Sequence, residues 1–319
     1  MIKPKRRILT HVIKMILLVV FSHEAYSAHG QLPSITDIAF APDGKSLVSC
    51  SQTGIQVYSW PKLELTNTAR SSFSNLKCLA FSPDGKFLAV GGGNPSERGG
   101  VEVFTWPQCK SEMLLSNHDD SVTATLWLGN RNLVSASLDR KLIQWNLTTQ
   151  KAIASYQGHS RGVTSVCALP NGEIVSAGYD HSVRVWESAT GSLNRTLNQH
   201  SMPVNAIAMC PQSDGRPMLA TAAQDRTIRF WQPTIGRMMR YIRLEAEPLD
   251  IAWVSTTRIV ASCNDGRVRL VDSNNVKVLK TISLLQGWCY AVAAHPNDRS
   301  IAIAGSDGEI RRFQLETSP

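Results

Sequence analysis

The 319 residues are 43% hydrophobic and 18% charged, enough apolar side chain for a folded core and too much for intrinsic disorder. Half of the formal net charge of +8 belongs to the first 27 residues, where Lys3, Lys5, Arg6, Arg7 and Lys14 face only Glu24. The remaining +4 reads as having no run of clustered Lys/Arg and no interleaved basic–aromatic patch, so nucleic acid is not an expected partner.

Residues 1–27 have the layout of a signal peptide. A basic start (residues 3–7) precedes the apolar run Met15–Phe21, and Ala25 and Ser27 stand at −3 and −1 of a cleavage after Ser27. The run is short for a bilayer span and is interrupted upstream by His11 and Lys14. Export to the periplasm or beyond is the expectation. An uncleaved membrane anchor and a cytoplasmic protein are the alternatives.

Residues 28–319 repeat one pattern seven times. The first unit shows it: an alternating strand (Ile35–Phe40), a Pro42-Asp43-Gly44 turn, a second strand ending LVSCS, a tight turn and a third strand, IQVYSW. The residue of the tight turn falls at Thr53, Gly99, Asp139, Asp180, Asp225, Asp265 and Asp307, at intervals of 40 to 46 residues. The residue closing the third strand keeps step at Tyr58, Phe104, Trp145, Trp186, Trp231, Val271 and Phe313. Further hairpin turns are expected at Pro83-Asp84-Gly85, Asn171-Gly172, Asp214-Gly215 and Asn297-Asp298. Period-two alternation and β-branched residues make these units sheets, each with a weaker fourth strand.

The third, fourth and fifth units each hold a His before the first strand, a Ser/Thr in the second, the turn Asp and a Trp in the third. These sets are His118, Ser135, Asp139 and Trp145; His159, Ser176, Asp180 and Trp186; and His200, Thr221, Asp225 and Trp231. The chain thereby resembles the WD40-repeat family over about residues 29 to 316. The resemblance implies an all-β, seven-bladed propeller with four-stranded antiparallel blades labelled a to d from the axis outward. It also implies that each set is a structural hydrogen-bonded chain. A Ser-His-Asp protease reading would need three active sites and lacks a strained nucleophile turn. The other four blades lack the full set, so apolar packing between sheets is expected to hold them more than a polar chain does. The family resemblance further implies that an N-terminal segment, about residues 25 to 32, supplies the missing strand of blade seven. That closure competes with cleavage after Ser27.

In the family the binding face is built by the d–a loops and b–c turns. The resemblance therefore makes Leu138, Tyr179, Gln224, Asn264 and Ser306, each before a turn Asp or its equivalent, candidate contact residues, together with Asp120, Arg161, Met202 and Trp288 at the start of strand a. Tyr179, Arg161 and Trp288 lead, because Tyr, Trp and Arg are enriched at interface hot spots. The Gly-rich stretch 91–100 reads as a long b–c loop, similar to insertions in exported bacterial propellers of this family. Arg184, Arg229, Arg269 and Arg311 recur on strand c and read as pairing with a neighbouring blade or lying solvated. Trp60-Pro61 and Trp106-Pro107 read as closing strand c on the opposite face. The seven cysteines lack metal-ligand spacing and read as small buried hydrophobes. No cofactor and no metal are expected. The function expected is a non-enzymatic scaffold for a protein or peptide. A propeller enzyme or small-ligand binder with its site at the channel, and a cytosolic subunit of a larger assembly, are the alternatives.

Overall fold

The computed structural model describes residues 32–211 and 218–316, which form seven antiparallel sheets. Blade one holds Ile35–Phe40, Ser46–Ser51, Gly54–Ser59 and Leu65–Ala69; blade two holds Cys78–Phe81, Phe87–Asn94, Arg98–Thr105 and Ser111–His118. Blade three holds Val122–Trp127, Asn132–Ser137, Lys141–Asn146 and Lys151–Gln157; blade four holds Val163–Ala168, Ile174–Gly178, Val183–Trp186 and Leu193–Leu197. Blade five holds Val204–Met209, Leu219–Ala223, Thr227–Gln232 and Arg237–Arg243, and blade six Pro248–Trp253, Arg258–Cys263, Arg267–Asp272 and Lys277–Ser283. Blade seven shows three strands among the described residues: Ala291–Ala294, Ser300–Ala304 and Ile310–Gln314. Its expected closing strand at residues 25 to 32 falls almost entirely outside the described residues, as do the signal-peptide segment and the Asp214-Gly215 turn.

Strand a of every blade touches strand a of the next, and that of blade seven touches that of blade one, so the sheets close into a propeller. Burial follows position in the blade. Strand b is covered on both faces and reads as a small apolar run, as in the wholly buried Leu219–Ala223. Strand d is half solvated and alternates, as in Arg237–Arg243, where every second residue is exposed.

A bulge in the a–b ladder recurs in blades one, three, four and five, and its extra residue ties adjacent blades. Thr36 Oγ1 lies 2.7 Å from the Leu76 carbonyl, Thr123 Oγ1 2.7 Å from that of Val163, and Thr164 Oγ1 2.6 Å from that of Val204. Asn205 Nδ2 donates in the same way to Pro248 O at 2.9 Å. Each target opens strand a of the next blade or, at Leu76, lies two residues before it, so the bulge turns an unpaired ladder residue into an inter-blade bond.

Among the described residues, the junction of blades seven and one is held by backbone and side-chain contacts. Ile35 N–H donates to Gly305 O at 3.0 Å, and His295 Nε2 lies 2.9 Å from Gly44 O. Phe40 and Trp60 pack on the His295 ring with centroids 5.0 and 5.9 Å away. Gly44 has φ of +72°, and a Cβ there would come within 2.7 Å of His295 Nε2, so glycine alone fits the turn.

One sequence expectation about the strands needs correction. Residues 91–100 are no loop: Gly91 to Asn94 pair with Arg98 to Val101, which lengthens the b–c hairpin of blade two. Blades two, six and seven pack through apolar clusters and also carry the polar groups described below. Trp60 and Trp106 pack edge-to-face on Phe40 and Phe81, with centroids 4.7 and 4.9 Å apart.

Candidate functional site

The three complete sets form the same chain of bonds. Asp lies 2.8 Å from the His Nδ1 in blade three, 3.0 Å in blade four and 2.9 Å in blade five. His Nε2 meets the Ser/Thr hydroxyl at 2.8, 2.8 and 2.7 Å, and the indole N–H donates to that oxygen at 2.8, 2.8 and 2.9 Å. With Nδ1–H donating to the carboxylate, the hydroxyl donates to Nε2 and accepts from Trp, so every polar group is satisfied. Burial pushes the Asp139, Asp180 and Asp225 carboxyls up, but the His bond together with neighbouring hydroxyl and backbone N–H donors outweighs it and holds each below the usual range. Ser135, Ser176 and Thr221 are 0% exposed, so no substrate reaches their hydroxyls and the trios tie strands together.

The strand-c arginines pair within their own blades, not with a neighbour. Arg184, Arg229, Arg269 and Arg311 each approach the turn Asp four residues earlier, at 3.8, 3.4, 2.7 and 2.6 Å. In blade six, which lacks the His, Arg269 is only 2% exposed and grips both oxygens of Asp265. Blade two has Glu102 at this strand position, buried and accepting from Ser71 Oγ, Ser72 N–H and Ser111 Oγ.

Two carboxylates that sequence reasoning passed over lie between neighbouring innermost strands. Asp37 accepts from Ile38 N–H and from Leu79 N–H of blade two; Asp250 accepts from Ile251 N–H and from Val292 N–H of blade seven. The shared Asp-Ile-Ala triplet at 37–39 and 250–252 was the available signal. Burial, with the Asp250 charge added, raises the Asp37 carboxyl to about 8, and burial raises Asp250 to about 6. A raised folded-state value means that the folded protein holds the proton more tightly than the unfolded chain. The contribution is complete below the unfolded value near 3.8 and is lost as pH rises through about 8 for Asp37. The thermal midpoint should therefore fall between pH 7 and 8.5, and Asp37→Asn should flatten that slope. An unchanged slope in differential scanning fluorimetry would refute this.

The expected contact residues share one backbone device. The N–H groups of Leu138, Tyr179, Gln224, Asn264 and Ser306 donate to Ser121, Gly162, Pro203, Glu247 and Trp288 carbonyls at 2.9 to 3.1 Å. Each b–c turn is thus pinned to the segment entering strand a, which brings both predicted sets to one face. On that face Tyr179 is 40% exposed, Met202 45% and Trp288 50%. Trp288 packs edge-on against Tyr290 at 6.0 Å. Arg161 is exposed and Leu138 half-buried. Gln224 bonds Asn205, which in turn bonds Glu247. Other exposed large hydrophobics cluster on outer strands, for example Leu65, Ile153 and Leu279.

A basic–aromatic patch, not expected from the sequence, does form on blade five. Arg237, Met239, Tyr241 and Arg243 share the exposed side of strand d, and Arg226 and Arg229 approach from the turn and strand c. Among the described residues no group of three His, Cys, Asp or Glu is placed to hold a metal, and no disulfide joins the cysteines. Six of the cysteines are buried, and Cys167 is half-buried.

Compared with known proteins, residues 21–59, 64–96, 108–146, 150–187 and 191–232 match the WD domain, G-beta repeat. The chain is 29% identical over 121 residues to the UBP9-binding protein bun62 of Schizosaccharomyces pombe, covering 36% of this chain and 22% of that protein. It is 30% identical over 131 residues to the cell division cycle protein cdt2 of the same yeast, covering 38% and 26%. Similarity to the intraflagellar transport protein 122 homolog of Xenopus tropicalis runs over 286 residues at 21% identity, covering 88% of this chain and 23% of that protein. The chain matches about a quarter of the length of these relatives.

Proposed function

The chain belongs to the WD domain, G-beta repeat family, and from that footing we propose that it is a non-enzymatic platform docking a protein or peptide on the face of its d–a loops and b–c turns. The observation that carries this is the exposure of Tyr179, Met202 and Trp288 together on a face whose turns are pinned by backbone bonds. Large side chains on a rigid frame lose little freedom on binding, which is the physical basis of a hot spot. Its relative bun62 is, by name, a UBP9-binding protein, in keeping with such a role.

Tyr179→Ala with Trp288→Ala is expected to weaken capture of partner proteins by at least about tenfold, since hot-spot truncations cost about 2 kcal/mol or more each. The midpoint of unfolding should stay put, because both side chains are substantially exposed. Lys86→Ala, on the exposed a–b turn of blade two, is the control. Equal capture by the face variant and wild type in quantitative mass spectrometry would sink the reading.

The proposal includes export, on the strength of the basic start, apolar run and small residues within 3–27. The mature chain should be found outside the cytoplasm with an intact mass lacking about 27 residues. A full-length mass in the cytoplasmic fraction would remove this part.

A further inference from the structure

We propose that the groove at the top of blade five binds an acidic peptide segment of the partner, held by Arg226 and Arg243 with Tyr241 and Met202 as its apolar wall. The inference rests on the docking face proposed above and names the chemistry of its occupant.

The groove holds about 360 Å³ and is lined by Met202, Gln224, Arg226, Arg229, Tyr241 and Arg243, with Asp225 at its base. Three guanidiniums face one carboxylate, and that carboxylate is already satisfied. Asp225 takes bonds from His200, Ser201 N–H, Thr227 and Arg229. Arg226 and Arg243 are exposed and form no ion pair among the described residues. Of the acids that follow Arg243 in sequence, Glu245 lies exposed at 3.7 Å from Arg269, and Glu247 accepts from Asn205. The groove therefore presents uncompensated positive charge beside apolar surface.

The other blades provide an internal control. The position across from strand c that holds Tyr241 in blade five holds Ser155 in blade three, Thr196 in blade four and Thr281 in blade six. The position of Arg243 holds Gln157 in blade three and Ser283 in blade six. Those blades fold with Ser, Thr or Gln at these sites, and blade two with Leu114 at the Tyr241 position, so the fold does not require an aromatic and an arginine there. Blade five thus sets an aromatic and two unpaired arginines side by side, as an acidic ligand would require.

Carboxylates match this set better than bases do. Guanidinium forks take carboxylates in bidentate fashion. The Arg229 guanidinium already lies 5.6 Å over the Tyr241 ring, covering the face on which a base would stack. An extended peptide also repeats its side chains at the spacing of strand d, where the exposed residues alternate.

The test is fluorescence anisotropy of the mature chain with a short labelled poly-glutamate peptide, alongside a poly-lysine peptide and a single-stranded RNA oligonucleotide. Wild type should bind the acidic peptide and not the basic one. Arg226→Glu with Arg243→Glu should weaken binding by tenfold or more, and Tyr241→Ala by severalfold. Lys151→Glu, exposed on strand d of blade three, should change nothing, and the thermal midpoints should match. No binding by wild type, binding equal in the double variant, or tighter Arg226- and Arg243-dependent binding of RNA would each overturn the inference. If the peptide fails while the Tyr179 and Trp288 variants still lose their partners, only the groove falls. If those variants keep their partners while the groove binds, the wider docking face falls instead.

Discussion

Trp186→Ala is expected to cost roughly 3–5 kcal/mol, the range for deleting a large buried aromatic. Trp186 is 0% exposed and packs with Tyr156, Val166 and Ile174 in the cluster joining blades three and four. Its indole also donates to Ser176 Oγ at 2.8 Å. Trp186→Phe separates the two contributions. It retains most of the apolar volume but takes the donor away from a buried hydroxyl, a loss of about 1–3 kcal/mol. Urea denaturation monitored by circular dichroism measures both. If Phe proved as damaging as Ala, the bond and not the volume would dominate, and the cavity argument would fail.

Arg269→Ala is expected to be the next most damaging change. Breaking a buried ion pair by removing one partner costs about 3–5 kcal/mol, because the other charge is left behind. Here Asp265 keeps 30% of its side-chain exposure and water rehydrates part of it, so about 2–3 kcal/mol is expected. Truncating Asp265 as well should recover part of the loss, since the stranded charge goes too. A double variant no more stable than Arg269→Ala in the same denaturation experiment would show that the guanidinium acts by filling space and not through its charge.

Much of the fold was legible because a propeller writes one pattern seven times, so even blades with Gly99 or Val271 in marker positions are found by spacing. The tetrads could be read because His118, Ser135, Asp139 and Trp145 stand at offsets repeated twice more. Polar contacts in the other blades were harder to see. Arg269 sits on a strand whose alternation gives its face but not its partner, and a buried arginine looks like a solvated one until Asp265 is seen across the turn. Glu102 is held by Ser71 and Ser72, which lie some 30 residues earlier, a distance that no periodicity encodes. The groove of blade five combines a turn, a third strand and a fourth strand. Its arginines are dispersed along the chain and meet only through strand pairing. The two raised carboxylates went unnoticed because polar residues on innermost strands look like ordinary alternation until the next blade is seen to close over them.

The junction between blades seven and one has a mechanical consequence. Every other junction is bridged by peptide bonds as well as side-chain contacts, so two parted blades there stay tethered and meet again at high effective concentration. At this junction, Ile35 with Gly305 and His295 with Gly44 must find each other across most of the chain. Closing so long a loop costs entropy before any contact repays it. These contacts therefore act as a clasp between the first and last described blades, formed late and early to open. Amide hydrogens beside the clasp, at Ile35, should exchange sooner than their counterparts at Val163, though both begin the same strand of equivalent blades.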